Sequence, residues 1–361
     1  MGGLIANKLA ATGDFKLTIA DSNEDQLKRV GEGCSVTSMW LDAEDTRTVK
    51  EALAKVDVVI NACPAHVNGV VSQAAREQGC HYFDLSEDRS SVAAVRNISE
   101  GADSAFYPQC GVSPGFISMV TSALSQRLDA PRDIEVRLGA LPRYPSNRLQ
   151  YGLTWNAAGL FQEYTQRCDA IVDGKRVELS PLEGYEAFSL DGNQYEAFTT
   201  ANGLGSLCES MEGSVRTLTF KTIRYPGHMD KMQLLLNDLG LRRRKHLFKS
   251  MIENNLPIIS QDVVLIFITV NGLKRGRVVQ ESYVKKLYSQ QVQGDEVSAL
   301  QTASAEATCA MVDLLCAGVI PSRGYVRQED VDLAVFSHNR FGRYFFAGQA
   351  QREAEIGNPI N

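Results

Sequence analysis

The chain opens on Met1-Gly2-Gly3-Leu4-Ile5-Ala6-Asn7-Lys8-Leu9, a glycine pair leading into an apolar helical pattern. Asp21 follows nineteen residues after Gly2, at the end of a buried-strand pattern over 15–21. That order of glycine, helix and strand-end acid suits one chemistry. A helix N-terminus presents unpaired N–H groups and partial positive charge to a diphosphate, and a glycine there lets helix and strand approach closely. The acid accepts hydrogen bonds from the hydroxyls of an adenosine ribose. Gly2, with Met1 beside it, reads as the third glycine of a G-x-G-x-x-G fingerprint, and the spacing predicts a dinucleotide site. A free carboxylate repels a 2′-phosphate, and no arginine follows within Ser22-Asn23-Glu24-Asp25, so NAD is expected over NADP. Asp42, ending the third strand region, is expected on the adenine side. Ala62, Cys63 and Pro64, where a strand over 56–62 ends, are expected to line the cofactor cleft, with His66 at its border. Taken alone, an N-terminal glycine and an ordinary strand-end acid are the plainer explanation. The elements downstream decide against it.

Strand patterns at 15–21, 56–62, 81–85 and 104–108 alternate with helical patterns at 24–30, 46–55, 68–78 and 91–100. Strands separated by helices make parallel βαβ units, so the fold class is α/β with a Rossmann-type, doubly wound sheet. The first strand and the first two glycines of such a unit are absent from the sequence. The natural product is therefore expected to extend upstream by about a strand and a turn, and a chain truly starting at Met1 is expected to be less stable and to bind cofactor poorly. The middle differs. Ile134-Glu-Val-Arg-Leu-Gly-Ala alternates as a half-exposed strand should, and Asp173-Gly174, Asp191-Gly192 and Asn271-Gly272 are hairpin-turn pairs around β-type runs. With a helical excursion at about 230–254, this predicts an inserted α+β domain built on an antiparallel sheet. A helical stripe from Ala303 to Cys316, closed by Gly318 and Pro321, returns the chain to the first domain. The expected boundaries are 1–116 completed by 300–361 for the dinucleotide-binding domain, and 117–299 for a substrate and dimerisation domain.

Composition excludes several classes. A net charge of −6 argues against a nucleic-acid binder, and the basic run Arg242-Arg243-Arg244-Lys245 lies in a helical pattern, as a solvated face would. The longest apolar run, Val263 to Val270, is far short of the roughly 20 residues of a membrane helix, and the opening residues lack a secretory pattern. The eight cysteines form no CxxC and no zinc-type spacing, so no metal is expected. Scattered reduced thiols suggest the cytoplasm.

At Tyr82-Phe-Asp-Leu-Ser-Glu-Asp88, Pro108-Gln-Cys-Gly-Val-Ser-Pro-Gly115 and Lys221-Thr-Ile-Arg-Tyr-Pro-Gly-His228 the chain resembles the saccharopine dehydrogenase-like family. It is most similar to the lysine 6-dehydrogenase branch. The likeness extends through Gly139-Ala-Leu-Pro142, the segment from Asn147 to Trp155, and Asn339-Arg-Phe-Gly-Arg-Tyr344. It implies an inserted substrate domain, a homodimer, and oxidation of a carbon–nitrogen bond in an amino acid with hydride passing to a nicotinamide. For lysine the product is the 6-semialdehyde plus ammonia. For saccharopine the imine is split to an amino acid and a carbonyl compound, or formed and reduced in the opposite direction. A nucleotide-binding protein without catalysis is the alternative from a different class.

Hydride removal needs a neutral amine, because a protonated nitrogen has no lone pair to stabilise the developing iminium, so a general base is expected. Asp84 and Glu87 end a strand at the carboxyl edge where open α/β sheets bind ligands. Capping of the next helix by Ser86-Glu87-Asp88 explains them equally well. Cys110, in a turn with Gly111, Pro114 and Gly115, is expected close to cofactor or substrate without acting as a nucleophile. Arg224, with Tyr225 and His228, is the preferred partner for a substrate α-carboxylate, which a guanidinium binds bidentately. Arg148 is the second candidate, with Tyr151 and Trp155 walling the aliphatic part of the substrate. A surface charge for Arg148 and core packing for the two aromatics are the alternatives. His228 titrates in a useful range and is expected to relay a proton, against a structural role in its turn.

Overall fold

A computed structural model describes residues 1–31, 36–292 and 295–347. Cys34 and the tail at 348–361, assigned above to the first domain, lie outside the described residues. The chain divides into two compact units, Met1–Phe116 with the chain from Ala303 onward, and Ile117–Thr302.

In the first unit, helix α1 (Gly2–Ala10) is followed by β1 (Thr18–Asp21), α2 (Glu24–Gly31), β2 (Thr37–Trp40), α3 (Thr46–Leu53), β3 (Val58–Asn61), α4 (Asn68–Gln78), β4 (His81–Asp84), α5 (Arg89–Ser99) and β5 (Ala105–Tyr107). Every strand pairing among them is parallel: β1 with β2, and β3 with β4 with β5. The apolar stripes of α3, α4 and α5 bury Val49, Leu53, Val71, Ala74, Ala75 and Val95 against Tyr82 and Phe106. Phe83 and Tyr107, next along the same strands, point to the opposite face and stack with ring centroids 5.0 Å apart. The three helices therefore cover the face of the parallel sheet that carries Tyr82 and Phe106.

The second unit runs α6 (Ile117–Gln126), β6 (Ala130–Pro142), α7 (Ala157–Thr165), β7 (Cys168–Val172), β8 (Lys175–Leu179), β9 (Glu186–Leu190), β10 (Asn193–Thr199), α8 (Leu207–Met211), β11 (Thr217–Arg224), α9 (His228–Gln233), α10 (Lys245–Asn255), β12 (Asp262–Lys274), β13 (Arg277–Tyr288), β14 (Gln290–Val292) and β15 (Asp295–Val297). Its main sheet has the order β13-β12-β6-β11-β10-β9. The sheet is mixed, not purely antiparallel, because β11 runs parallel to β6. The long excursion between those two strands, through α7 and two hairpins, lets the chain re-enter in the same direction. Asp173-Gly174 and Asp191-Gly192 form the two hairpin turns, all four residues having positive φ. Asn271-Gly272 does not turn. It sits inside β12 where the register with β6 shifts, and the hairpin closes instead at Arg275-Gly276, with φ of 53° and 74°. A Cβ on Gly272 would meet the Ala130 carbonyl and lie 2.9 Å from Pro131 Cα, so the irregular register requires glycine for space.

Helix α11 (Ala299–Cys316) begins in the second unit, four residues before the apolar stripe at Ala303, and ends in the first at Cys316, as the stripe indicated. Its N-terminus is capped from a distance by the buried carboxylate of Asp262, which accepts from Ala299 N and, at 3.1 Å, from Leu300 N. Strand β16 (Gly324–Tyr325) then pairs in parallel with β5, and α12 (Leu333–His338) follows.

Candidate functional site

The first unit gathers the residues expected at a dinucleotide. Helix α1 starts at Gly2, and Met1 at its N-cap offers no side-chain acceptor to the helix N–H groups. A Cβ on Gly2 would lie 3.5 Å from the Ala62 Cβ, placing the helix start against the end of β3. That is ordinary contact, so Gly2 is not the residue that permits close packing. Gly3 is: a Cβ there would approach Val30 of α2 to 2.8 Å. Asp21 is exposed at the end of β1, with Oδ1 accepting from Asn23 N at 2.8 Å. The Cys63 thiol holds its proton more firmly than usual, through partial desolvation of its sulfur, although the residue as a whole is exposed, and through the Asp21 charge, which puts Asp21 and Cys63 within electrostatic reach. Gly2, Asp21, Ala62 and Cys63 thus converge at the carboxyl ends of parallel strands. An exposed carboxylate beside a helix N-terminus without a side-chain cap fits the adenosine diphosphate half of a dinucleotide. Cys63 and Pro64 are exposed, as is Asp42 in the loop after β2. In that loop Glu44 reaches His66, 3.0 Å away in the turn that follows β3.

Behind this edge lies a buried polar network with no recognisable motif. Asn61 Nδ2 donates to Asn68 Oδ1 at 2.8 Å and to Tyr82 Oη at 3.3 Å. Tyr82 Oη donates to Asp84 Oδ2 at 2.9 Å, and Asn68 Nδ2 donates to Ser91 Oγ at 2.6 Å. The outer atoms hold backbone. Asn61 Oδ1 accepts from Cys63 N, and Asp84 Oδ1 accepts from Ser86 N at 2.9 Å and Gln109 N at 3.0 Å. Burial pushes the Asp84 carboxyl up to about 6, despite the N–H groups of Gln109 and Ser86 and the Tyr82 hydroxyl, which favour its charge. Asp84 is fully buried and committed to these partners, so it positions the loops after β3, β4 and β5 instead of facing a ligand. The polar residues closing the apolar runs Val-Val-Ile-Asn61 and Tyr-Phe-Asp84 were the available signal.

Glu87 is half-buried on the loop leaving β4. The helix cap is Asp88, whose carboxylate accepts from Ser91 N at 2.9 Å. Cys110 is buried. Its Sγ donates to Tyr107 O at 3.1 Å and accepts from Gln328 Nε2 at 3.2 Å, and burial raises its thiol well above the usual range. Any contact with a ligand passes through its backbone. Gln109 has φ of 64°, and a Cβ on Gly115 would fall 2.5 Å from its carbonyl, which holds the turn tight.

In the second unit Arg224, Tyr151, Tyr164 and His228 meet in the core between α7, α9 and β11. Arg224 Nε donates to Tyr164 Oη at 2.8 Å, Nη1 to Ile223 O at 3.0 Å, and Nη2 to both Glu163 oxygens at 3.3 and 3.4 Å. Burial opposes the guanidinium charge, but Tyr164 and Glu163 outweigh it. Burial also raises the Glu163 carboxyl. A proton there would strand a cation that cannot release its own, so the pair is ionic. Arg224 therefore spends its charge inside the fold. Glu163 and Tyr164, adjacent on α7, had no sequence signal as its partners. His228 donates from Nδ1 to Leu149 O at 3.0 Å and faces Tyr164 Oη at 3.1 Å through Nε2. Burial and the Arg224 charge push it down to about 3. This corrects the expectation of a proton relay: the imidazole is neutral, and it anchors α9.

Tyr151 is buried with its ring 5.2 Å from the Arg224 guanidinium carbon, and Trp155 packs on Gly159. Tyr151 is a core residue, and Trp155 is half-buried against the edge of the same core. Arg148 is exposed. Tyr225 is half-buried on the other face of the sheet, stacked 5.8 Å from Tyr195. Among the described residues no cluster of metal-ligating side chains occurs, and no helix is long and apolar enough to cross a membrane.

Comparison with known proteins gives this arrangement its relatives. Residues 1–108 match the saccharopine dehydrogenase NADP binding domain, and residues 111–354 match the saccharopine dehydrogenase C-terminal domain. Alpha-aminoadipic semialdehyde synthase of Arabidopsis thaliana is 23% identical over 248 residues, 63% of this chain and 23% of that protein. The mitochondrial enzyme of that name from Bos taurus is 18% identical over 293 residues, 76% of this chain and 31% of that protein. The chain thus spans 23% and 31% of the length of these relatives. A solved structure of saccharopine dehydrogenase (L-Glu forming) from Saccharomyces cerevisiae shares the fold, with a TM-score of 0.78 at 14% identity over 98% of this chain and 96% of the other. Since two adjoining domains of one family account for nearly its whole length, the chain belongs to the saccharopine dehydrogenase family.

Proposed function

We propose that the chain is an NAD-dependent oxidoreductase acting on a carbon–nitrogen bond of an amino acid, with oxidative deamination of lysine as the first reading. The observation that carries it is the convergence of Gly2, Asp21, Ala62 and Cys63 at one strand edge. When bound, a nicotinamide dinucleotide supplies the acceptor for a hydride. The chain's own residues bind and orient. The open start of α1 receives the diphosphate, and Asp21 accepts from the ribose hydroxyls. The network of Asn61, Tyr82 and Asp84 fixes the loops at Cys63, Ser86 and Gln109 around the reacting carbon. Glu87, next to one of those loops, takes the proton that leaves the amine nitrogen as the carbon loses hydride. Water then converts the imine to aldehyde and ammonia. The exposed Asp21 carboxylate favours NAD, whereas the family description of the first domain names NADP.

Saccharopine is the second reading, favoured by the family and by the two semialdehyde synthases among its relatives. The second unit binds the amino acid and pairs two copies in either reading. A cytosolic setting rests on the described cysteines, all of which are free thiols. Purified protein is assayed for nicotinamide reduction with lysine and with saccharopine, under NAD and under NADP. Turnover of lysine with NAD is expected. Turnover of saccharopine alone selects the second reading, and inertness toward both under either cofactor overturns the proposal.

A further inference from the structure

Trp40, the last residue of β2, is 57% exposed. Leaving an indole in water forfeits one of the largest apolar burials a side chain offers, yet this ring is not loose. Its Nε1–H donates to Ser22 O at 2.9 Å, which pins the indole to the loop after β1. Its register partner across the parallel pair is Asp21, and Leu41 N donates to Asp21 O at 3.1 Å just beyond. Register partners in a parallel ladder project from the same face. The indole and the carboxylate therefore stand side by side at the carboxyl ends of neighbouring strands, the edge at which open α/β sheets take ligands.

A flat apolar ring beside the group that grips a ribose meets the base joined to that ribose. We infer that Trp40 is the platform on which the adenine of a bound dinucleotide stacks. The inference rests on the dinucleotide reading given above and adds to it a residue that contacts the base. Stacking tolerates any purine and asks only for a fixed aromatic face, which the Ser22 contact provides.

The test titrates the full chain with NADH, ADP-ribose and nicotinamide mononucleotide, following tryptophan emission and binding heat for wild type, Trp40→Ala and Trp40→Phe. ADP-ribose and NADH are expected to quench the wild type, and nicotinamide mononucleotide is not. Trp40→Ala should weaken both adenine-bearing ligands by about tenfold or more and abolish the ADP-ribose quench, while Trp40→Phe keeps most of the affinity. Equal affinities in wild type and Trp40→Ala, or an ADP-ribose quench that survives in Trp40→Phe, sink the platform and leave the dinucleotide site standing. Failure of wild type to bind any adenine-bearing ligand overturns both. Should Trp40→Ala not fold, the wild-type quench and its loss in Trp40→Phe still decide.

Discussion

Arg224 and Asp84 show how burial reassigns residues whose types suggest direct chemistry. Arg224 is matched by Glu163, so a substrate carboxylate would have to displace an internal one. Breaking such a pair leaves a buried charge alone, and Glu163→Ala is expected to cost about 3–5 kcal/mol of stability. Glu163→Gln with Arg224→Met should cost much less than the sum of the single changes, since neither variant side chain carries charge. Urea unfolding of the three variants checks this, and strictly additive losses would contradict it. Asp84 makes a pH prediction. Unfolded, an aspartate ionises near 4; folded, Asp84 does so at about 6. Between those values the native chain holds a proton that the unfolded chain has released. Stability must then fall as the pH rises from about 4 to about 6, by up to about 3 kcal/mol from this group, and level off above. Asp262, pushed up to about 6 by its own burial, acts in the same window and direction. Unfolding followed across this range should show a shallower slope in Asp84→Asn. A slope equal to wild type would remove Asp84 from the account.

At the level of elements, sequence patterns served where one local rule governs and failed where partners are distant in the chain. The alternation of apolar runs with helical stripes placed β3 to β5 and the helices between them, because each must bury one face. Asp173-Gly174 and Asp191-Gly192 turn, since each pair adopts positive φ at a hairpin end and no neighbouring backbone crowds its glycine. Asn271-Gly272 does not, because Ala130 and Pro131 on β6 press against Gly272 and hold it in the ladder. That contact is invisible in the local sequence. Gly272→Ala is accordingly expected to destabilise by about 1–3 kcal/mol through crowding. Gly276→Ala strains only a positive-φ turn, for about 1 kcal/mol. Thermal melts that reverse this order would refute the assignment of the turn. The site divides along the same line. Spacing placed Gly2 at the start of a helix and Asp21 at a strand end, but it picked the wrong glycine for close packing, which is Gly3; Asn61, Asn68 and Tyr82 act through one another across separate elements. Glu163 and Tyr164 were hidden because a helix records which face is buried and not which charge waits there.

For the molecule as a whole, one unit presents a dinucleotide edge and the other carries a mixed sheet with a neutralised ionic core. The central claim is that adenosine diphosphate lies between the start of α1 and Asp21. The most direct measurement is equilibrium titration of wild type and Asp21→Ser with NAD and with NADP. Wild type should prefer NAD, and Asp21→Ser should shift the ratio toward NADP by about tenfold or more, since one carboxylate no longer faces the 2′-phosphate. Binding of neither dinucleotide by wild type, or a ratio untouched by the substitution, would contradict the account.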